Sequence, residues 1–428
     1  MTRDLLRALL LLAVPSVAAN AGAETLNDAF DAALRTDHRL GAEHQRTAAA
    51  QERLAAAQGL SLPSINAQGG YFHLDQPPAA ILQVPPLGTL EMPLIQQDVR
   101  AYQLTASLPL FTGGRITGAV HAAAAAADAA AQSETATRED LKLNVAGAYV
   151  DVLRARRALS LAETSVGTLQ AHAQDVDALY AKGLVARNDG LAAHVALANA
   201  QQDRLRAANA VDLAQSNYNR ALGRPFDSAV AIDEIIPGGE TAPLEQLTTE
   251  ALATRSELRA LQQQDHALRQ QAVSARGEQW PQVALSGGRY YVEDRNLAND
   301  GFWAIGIGVS WSLFDGGIAR RKARALDDEA AAAADTRQDA ESLIRLQVRQ
   351  CWLDIGETRQ RIDVATAALD QAEENLRVAR DRYDSGVGTN TEVLDAEALR
   401  RKSETNHIDA IYDNVLAQLR LRRAIGTL

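Results

Sequence analysis

The sequence predicts an α+β membrane protein built from two copies of one structural unit. Three observations support this prediction: a motif that recurs after 203 residues, short stretches in which apolar residues alternate with small or polar ones, and long proline-free runs of helix-forming residues. The chain is 46% hydrophobic but only 4% aromatic. Most of the apolar residues are alanine and leucine, which favours long helices packed closely along shared seams.

The N-terminus has the pattern of a secretory signal. Arg3 and Arg7 precede an apolar run at residues 8–14, and the small residues at 21–23 match a cleavage site. We therefore expect residues 1–23 to be a signal peptide. The rest of the sequence has no run of about 18 apolar residues, so we expect no transmembrane helix. An exported protein of this kind is periplasmic, secreted or a β-barrel membrane protein.

Strand-ending motifs mark an internal duplication. The sequence FTGG at residues 111–114 returns as FDGG at residues 314–317. From Phe111 to Gly223 the same offset needs no gap, so the helical parts of the two copies have equal lengths. The predicted boundaries are 24–223 for the first repeat, 224–247 for a linker and 248–428 for the second repeat.

Each repeat contains two predicted strands. In the clearest one, the odd positions from Trp303 to Leu313 are all apolar and the even positions from Ala304 to Ser312 are all small. A strand of this length suits a tilted crossing of a membrane. The predicted strands span about 62–74, 98–111, 281–292 and 302–314. Five prolines between residues 75 and 97 indicate a long surface loop.

A long helical hairpin follows each pair of strands. Residues 115–182 and 318–385 lack proline and are rich in Ala, Leu, Gln, Glu and Arg, which favour helix. Each run ends at a glycine turn, after which a second helix returns. The hairpins are predicted at 115–223 and 318–426, and the helices that lead into the strands at 24–57 and 248–278.

Four strands are too few to close a membrane barrel. Lipid does not tolerate open sheet edges, and closed barrels begin at about eight strands. If the strands lie in a membrane, the chain must therefore oligomerise, and three copies would supply twelve strands. The alternative is an exported protein in which each strand pair packs on its own helices, such as a periplasmic coiled-coil structural protein without a pore.

Three features together carry a resemblance to a known family: the duplication, the two Phe-x-Gly-Gly motifs and the glycine turns at 183–189 and 386–396. In these features the chain resembles the outer-membrane efflux protein family, or TolC family, over essentially its whole mature length. The resemblance implies a homotrimer with a 12-stranded outer-membrane β-barrel that continues into a long periplasmic α-helical barrel. It also implies an exit duct that serves an inner-membrane pump, of RND or ABC type, through a periplasmic adaptor (a membrane fusion protein). Small-molecule efflux and type I protein secretion both remain open.

The resemblance assigns the narrow end of the duct to the second turn. Glu392 and Asp395 lie three residues apart and share one helix face. In an isolated helix they would be ordinary solvent-exposed carboxylates in the first turn, where the helix dipole stabilises negative charge. In a trimer they would form two carboxylate rings, an arrangement that selects cations. The family closes its periplasmic end at these positions.

Two further residues match family positions that hydrogen-bond between neighbouring helices to keep this end shut. They are Asp189 and Tyr383. The alternative for Tyr383 is simple packing, because the first repeat also has a tyrosine at the corresponding position. The family has an arginine at the position of Gly388 and this chain has none, so the complete set of closing contacts would need a substitute such as Arg187 or Arg382.

The two glycine turns have a plain structural interpretation, since glycine ends helices in the left-handed conformation. The resemblance implies that the adaptor also docks there, on apolar residues exposed at the turns. The candidate docking residues are Gly183, Leu184, Val185, Gly386 and Val387.

Enzymatic chemistry is not indicated by the sequence. The eight histidines are scattered without an HExxH motif, and the Gly113-Gly114 pair lacks the lysine of a phosphate loop. The single cysteine, Cys351, excludes a disulfide framework and a multi-cysteine metal site. A net charge of −11 argues against nucleic-acid binding. We expect no catalytic residue, metal or cofactor.

Overall fold

The computed structural model describes residues 23–86, 88–236, 238–239, 242–294 and 297–428. Apart from Ala23, the predicted signal peptide lies outside the described residues. Within these ranges, no helix is both long enough and apolar enough to cross a membrane.

Both repeats follow one order of elements, with two short helices, two sheet strands and a long helical hairpin. The first repeat comprises α1 (Leu26–Thr36), α2 (His38–Gly59), β1 (Ser64–His73), β2 (Ala79–Val84), β3 (Gly88–Pro93), β4 (Asp98–Phe111), α3 (Arg115–Ala181) and α4 (Arg187–Ala221). The second comprises α5 (Leu244–Thr254), α6 (Ser256–Gly277), β5 (Gln282–Glu293), β6 (Gly301–Ser310), α7 (Ile318–Asp384) and α8 (Asn390–Ala424). Helices α3 and α7 have 67 residues each, and α4 and α8 have 35 each, so the hairpins have equal lengths.

The chain divides into two compact units, and neither coincides with a repeat. One unit contains residues 23–37, 139–244 and 349–428, and the other contains residues 38–138 and 245–348. Each repeat contributes to both units because α3 and α7 are shared between them. The boundaries drawn from the sequence therefore describe the duplication and not the compact units.

The predicted four strands per chain form one antiparallel sheet, in the order β1-β4-β5-β6. Strand β4 joins the two repeats by pairing with β1 on one side and with β5 on the other. Strands β1 and β6 are the edges of the sheet, and each has one side without a strand partner among the described residues. Strand β6 ends at Ser310, four residues before the predicted end.

The register sorts the side chains of the sheet onto two faces. One face is mostly apolar except at the loop end of the strands, where Arg100 and Glu293 lie on the same side. We call its remaining part the apolar face, and its main members are Ile65, Ala67, Gly69, Tyr102, Leu104, Ala106, Leu108, Leu285, Gly287, Arg289, Tyr291, Trp303, Ile305, Ile307 and Val309. The other face carries mostly small and polar residues, among them Gln68, Gln103, Thr105, Ser107, Ser286 and Gly306. Large residues of the apolar face are open to solvent in the single chain, with Ile305 81% exposed and Trp303 72% exposed.

The predicted loop at residues 75–97 is wrong in part, because it contains the antiparallel pair β2–β3. The alternation of apolar and polar residues in each strand is short. The prolines that suggested a loop lie at turn and strand-end positions, where proline is tolerated. Pro85 and Pro86 occupy the turn between the strands, and Pro93 is the last residue of an edge strand. The pair Leu82 and Leu90 shows that this hairpin also has an apolar face.

Each helix predicted to lead into the strands is divided in two. The breaks fall at Asp37 and Arg255, whose ψ angles of 121° and 118° are extended and not helical. These residues are 218 positions apart, the same spacing as Pro63 and Pro281 before the strands. The break is therefore part of the repeated unit, although neither proline nor glycine marks it.

The start of the described chain is anchored within its unit by a polar cluster. Arg224 donates two hydrogen bonds to the Glu24 carboxylate, at 2.6 and 3.0 Å, and the Tyr218 hydroxyl donates a third at 2.9 Å. The hydroxyl of Tyr149 lies 2.8 Å from the backbone oxygens of Glu24 and Asp233. Burial is the main cause that raises the pKa of Tyr149 to about 12, so this hydroxyl stays a donor.

Helices α3 and α6 approach closely at Gly118. A Cβ atom at this position would lie 2.6 Å from the backbone nitrogen of Ser274 and 2.8 Å from the carbonyl oxygen of Gln270. The Ser274 hydroxyl also donates a 2.7 Å hydrogen bond to the carbonyl oxygen of Arg115. The lack of a side chain at Gly118 is thus what allows this contact.

We expect Gly118→Ala to destabilise the protein by about 1–3 kcal/mol, because the new methyl group forces two backbones apart. Thermal unfolding of the purified protein in detergent, followed by circular dichroism, measures the effect. The matched control is Gly167→Ala, since Gly167 is exposed in α3 and has open space around it. That change should be neutral or stabilising by up to about 1 kcal/mol. Equal unfolding temperatures for Gly118→Ala and the wild type would contradict the close approach.

Candidate functional site: the tip of the helical hairpins

The two hairpin turns have the same backbone geometry. Gly183 and Gly386 adopt φ angles of +73° and +75°, which favour glycine. The next residue in each turn donates a hydrogen bond back across the helix end. These bonds run from the Leu184 nitrogen to the Leu179 oxygen at 3.0 Å, and from the Val387 nitrogen to the Arg382 oxygen at 2.9 Å. Each turn is therefore a Schellman motif.

The turns present one large apolar side chain each. Leu184 and Val387 are both 68% exposed and occupy equivalent positions in the two repeats. Val185, by contrast, packs against buried neighbours. Of the candidate docking residues, the two glycines shape the turns, Leu184 and Val387 face solvent, and Val185 contributes to the interior.

A small apolar cluster holds the four helices together beneath the turns. It contains Ala173, Val176, Ala193, Leu376, Ala379, Tyr383, Val393 and Ala396. Because α3, α4, α7 and α8 all contribute, the two hairpin ends form one packed unit, which we call the tip.

A polar link joins the hairpins within the tip. The buried side chain of Asn390 donates a 3.0 Å hydrogen bond from Nδ2 to the carbonyl oxygen of Asp189. Its Oδ1 lies 2.7 Å from Nε2 of His172. Sequence reasoning assigned no role to either residue: His172 belongs to no motif, and Asn390 lies within the second glycine turn but was not singled out there. At the 203-residue offset the corresponding residues are Asn375 and Arg187, so the link is present in one copy only.

The Asp189 carboxylate caps its own helix in the single chain. It accepts a 3.2 Å hydrogen bond from the backbone nitrogen of Ala186. Tyr383 lies nearby with 8% of its surface exposed, but no hydrogen bond joins the two side chains. Within the described part of the chain, the Tyr383 hydroxyl is buried and has no hydrogen-bond partner.

The surroundings of Tyr383 keep its hydroxyl protonated. Burial and the negative charges of Asp189, Asp384 and Asp175 all raise the pKa of Tyr383. Its ring centroid lies 5.5 Å from that of His172. A buried donor without an acceptor is costly, so a partner outside the single chain would stabilise it.

The two predicted gate carboxylates are exposed at the start of α8. The side chain of Thr389 caps this helix by accepting the Glu392 N–H at 3.3 Å. The Glu392 carboxylate lies 3.5 Å from Nε of Arg382, with both side chains about half exposed. A pair this exposed contributes little to stability. Asp395 lies one turn further along the same helix.

The position of Gly388 is crowded by Arg382. A Cβ atom at residue 388 would lie 3.0 Å from the Cβ of Arg382 and 3.0 Å from the nitrogen of Tyr383. Arg382 also approaches the carbonyl oxygen of Val387, at 3.3 Å from Nη2. The guanidinium of Arg382 therefore lies at this turn, beside residues 387 and 388.

Among the residues that the structure describes, no three or more His, Cys, Asp or Glu side chains are grouped closely enough to hold a metal ion.

The outer membrane efflux protein family model matches residues 29–224 and 247–427, which covers both repeats. Outer membrane protein TolC of Vibrio cholerae is 23% identical over 415 residues, spanning 95% of this chain and 91% of TolC. Alkaline protease secretion protein AprF of Pseudomonas aeruginosa is 24% identical over 302 residues, spanning 68% of this chain and 62% of AprF. The solved structure of the outer membrane protein VceC of Vibrio cholerae shares the fold, with a TM-score of 0.79 at 18% identity over 94% of this chain and 96% of VceC.

Proposed function

The chain belongs to the outer membrane efflux protein family, and we propose that three copies form the outer-membrane exit duct of a tripartite efflux system. The duct passively conducts small molecules, such as drugs, toxic compounds or metal ions, from a pump–adaptor assembly to the outside. The observation that carries the proposal is the four-stranded sheet with an apolar face and two open edges.

The sheet supports a trimer because, inside a membrane, the backbone groups at its two edges can form hydrogen bonds only with the edge of another copy. Unpaired backbone N–H and C=O groups in lipid cost several kcal/mol each, so β1 and β6 must pair. Pairing β6 of one copy with β1 of the next closes a ring, and three copies give twelve strands. The apolar face then meets lipid and the polar face lines water.

The tip supports a gate at the periplasmic end. In a trimer, Glu392 and Asp395 form rings of carboxylates around the axis, which favour cations at the narrow end. The buried hydroxyl of Tyr383 needs an acceptor, and we propose that a carboxylate such as that of Asp189 on a neighbouring hairpin provides it. Arg382 holds Glu392 and takes the place of the missing arginine.

The exposed residues of the turns support adaptor docking. Leu184 and Val387 are the most exposed large apolar side chains at the tip, and a trimer would carry six of them, two from each copy. A ring of apolar contacts on rigid turns suits a periplasmic adaptor, which in turn connects to an inner-membrane pump of RND or ABC type.

Type I protein secretion is a second candidate function. The relative AprF, named as a protease secretion protein, favours it. The pump encoded beside this chain would distinguish the two roles, because specificity in such systems lies mostly in the pump.

The trimer and the pore are tested together. We expect the protein extracted in detergent to have three times the mass of one chain by native mass spectrometry. The same sample should form ion-conducting channels in planar bilayers, because twelve strands enclose a water-filled lumen. A monomer that stays soluble without detergent would refute the duct.

We expect Asp189→Ala combined with Tyr383→Phe to raise single-channel conductance, since the closed tip would lose a donor and an acceptor between hairpins. The matched control is Tyr180→Phe, which changes the equivalent but exposed tyrosine of the first repeat. Its conductance should equal that of the wild type. If the double variant also conducts like the wild type, these residues do not hold the gate.

We expect Leu184→Asp to abolish chemical cross-linking to the adaptor, because a carboxylate replaces an apolar contact at the turn. Leu184→Met keeps the apolar surface and should cross-link normally. Native mass spectrometry confirms that both variants remain trimeric. Normal cross-linking of the aspartate variant would show that the adaptor docks elsewhere.

A further inference from the structure

A single charged residue interrupts the apolar face of the sheet. Of the fifteen residues named for this face, Arg289 alone carries a charge; the other charged residues on the same side of the sheet, such as Arg100 and Glu293, lie beyond it at the loop end of the strands. It lies well inside β5, four residues before the strand ends at Glu293. With a rise of about 3.3 Å per residue and a tilt of about 40°, Arg289 is about 10 Å below the end of the strand.

Apolar neighbours flank Arg289 on both sides. The register places Leu104 of β4 and Trp303 of β6 directly beside it. The next pair towards the loop is Tyr102 with Tyr291, whose ring centroids are 6.2 Å apart. An arginine in such a setting is expected to extend its guanidinium along the surface towards water.

The guanidinium points towards the loop end of the sheet. A Cβ atom at Gly301 would lie 3.0 Å from Nη2 and 3.1 Å from Cζ of Arg289. Gly301 pairs with Tyr291, which is two residues closer than Arg289 to the β5–β6 loop. The missing side chain at Gly301 therefore makes the space that the guanidinium occupies.

Among the residues that the structure describes, no carboxylate neutralises this cation. Arg289 makes no hydrogen bond or ion pair with any described residue. The nearest carboxylate in register on the same side of the sheet belongs to Glu293, which lies 3.4 Å from Nη1 of Arg100. A charge that faces lipid without a partner is unfavourable, and such residues usually serve a function.

We propose that Arg289 binds a phosphate group of lipopolysaccharide in the outer leaflet of the membrane. The inference rests on the proposed function, which places the apolar face in lipid and the strand loops outside the cell. The planar guanidinium matches a phosphate with two parallel hydrogen bonds. Trp303, Ile305 and Leu104 offer an apolar surface to the acyl chains, so each protomer holds one glycolipid at this site.

The test is a lipid titration of the assembled channel by native mass spectrometry. The probes are diphosphoryl lipid A and its dephosphorylated form, and the proteins are the wild type, Arg289→Gln and Arg100→Gln. We expect the wild type to prefer the phosphorylated lipid, and Arg289→Gln to bind it about tenfold or more weakly, because a charged hydrogen bond is lost. Arg100→Gln is the matched control, since it removes an exposed cation at the rim of the same sheet and should bind like the wild type.

Several outcomes would overturn the proposal. They are equal binding of the two lipids by the wild type, unchanged affinity in Arg289→Gln, and the same loss in Arg100→Gln. If phosphatidylglycerol competes as strongly as diphosphoryl lipid A, the site accepts any anionic lipid and the assignment to lipopolysaccharide is wrong. The comparison of two lipids on the wild type needs no variant, so poor assembly of Arg289→Gln would not weaken it.

Conductance separates this inference from the function on which it rests. A wild-type sample that is neither trimeric nor conducting rejects the duct itself. A conducting trimer without phosphate preference rejects the lipid site alone. Arg289→Gln should conduct like the wild type, because its side chain is on the face away from the lumen.

Discussion

Backbone hydrogen bonding at the two sheet edges is the constraint on which the rest of the molecule depends. Among the described residues, strands β1 and β6 each have one side without a strand partner, and large apolar side chains between those edges, such as Leu104 and Tyr102, are exposed. A membrane removes the water that would otherwise satisfy those edges. The protomer is therefore incomplete as a membrane structure, and assembly becomes a requirement of its secondary structure.

The tip shows the same incompleteness on a smaller scale. Its apolar cluster and the Asn390 link make the two hairpin ends one unit, yet no described residue accepts a hydrogen bond from the buried Tyr383 hydroxyl. An assembly can supply that acceptor when the ends converge and withdraw it when they part. A small apolar cluster with one unsatisfied donor is consistent with the gate proposed above, in which this end of the hairpins closes and opens.

Periodicity predicted the large features from sequence because each depends on many residues. The alternation around Trp303 and the gap-free offset after Phe111 gave the four strands and the two hairpins within a few residues. The breaks at Asp37 and Arg255 were not predictable, since a single extended residue leaves no compositional signal. The His172–Asn390 contact joins residues 218 positions apart, and no motif records it. Proline content was misleading for β2–β3, where turn and edge positions accept it.

Equal helix lengths in the two repeats have a consequence for how such a chain changes over time. Because α3 matches α7 and α4 matches α8, both turns end at the same level and share one cluster. A deletion in one arm alone would pull its turn out of that cluster. A relative with shorter or longer hairpins must therefore change all four helices together, by the same number of residues. Helix length is thus constrained jointly in the two copies during evolution.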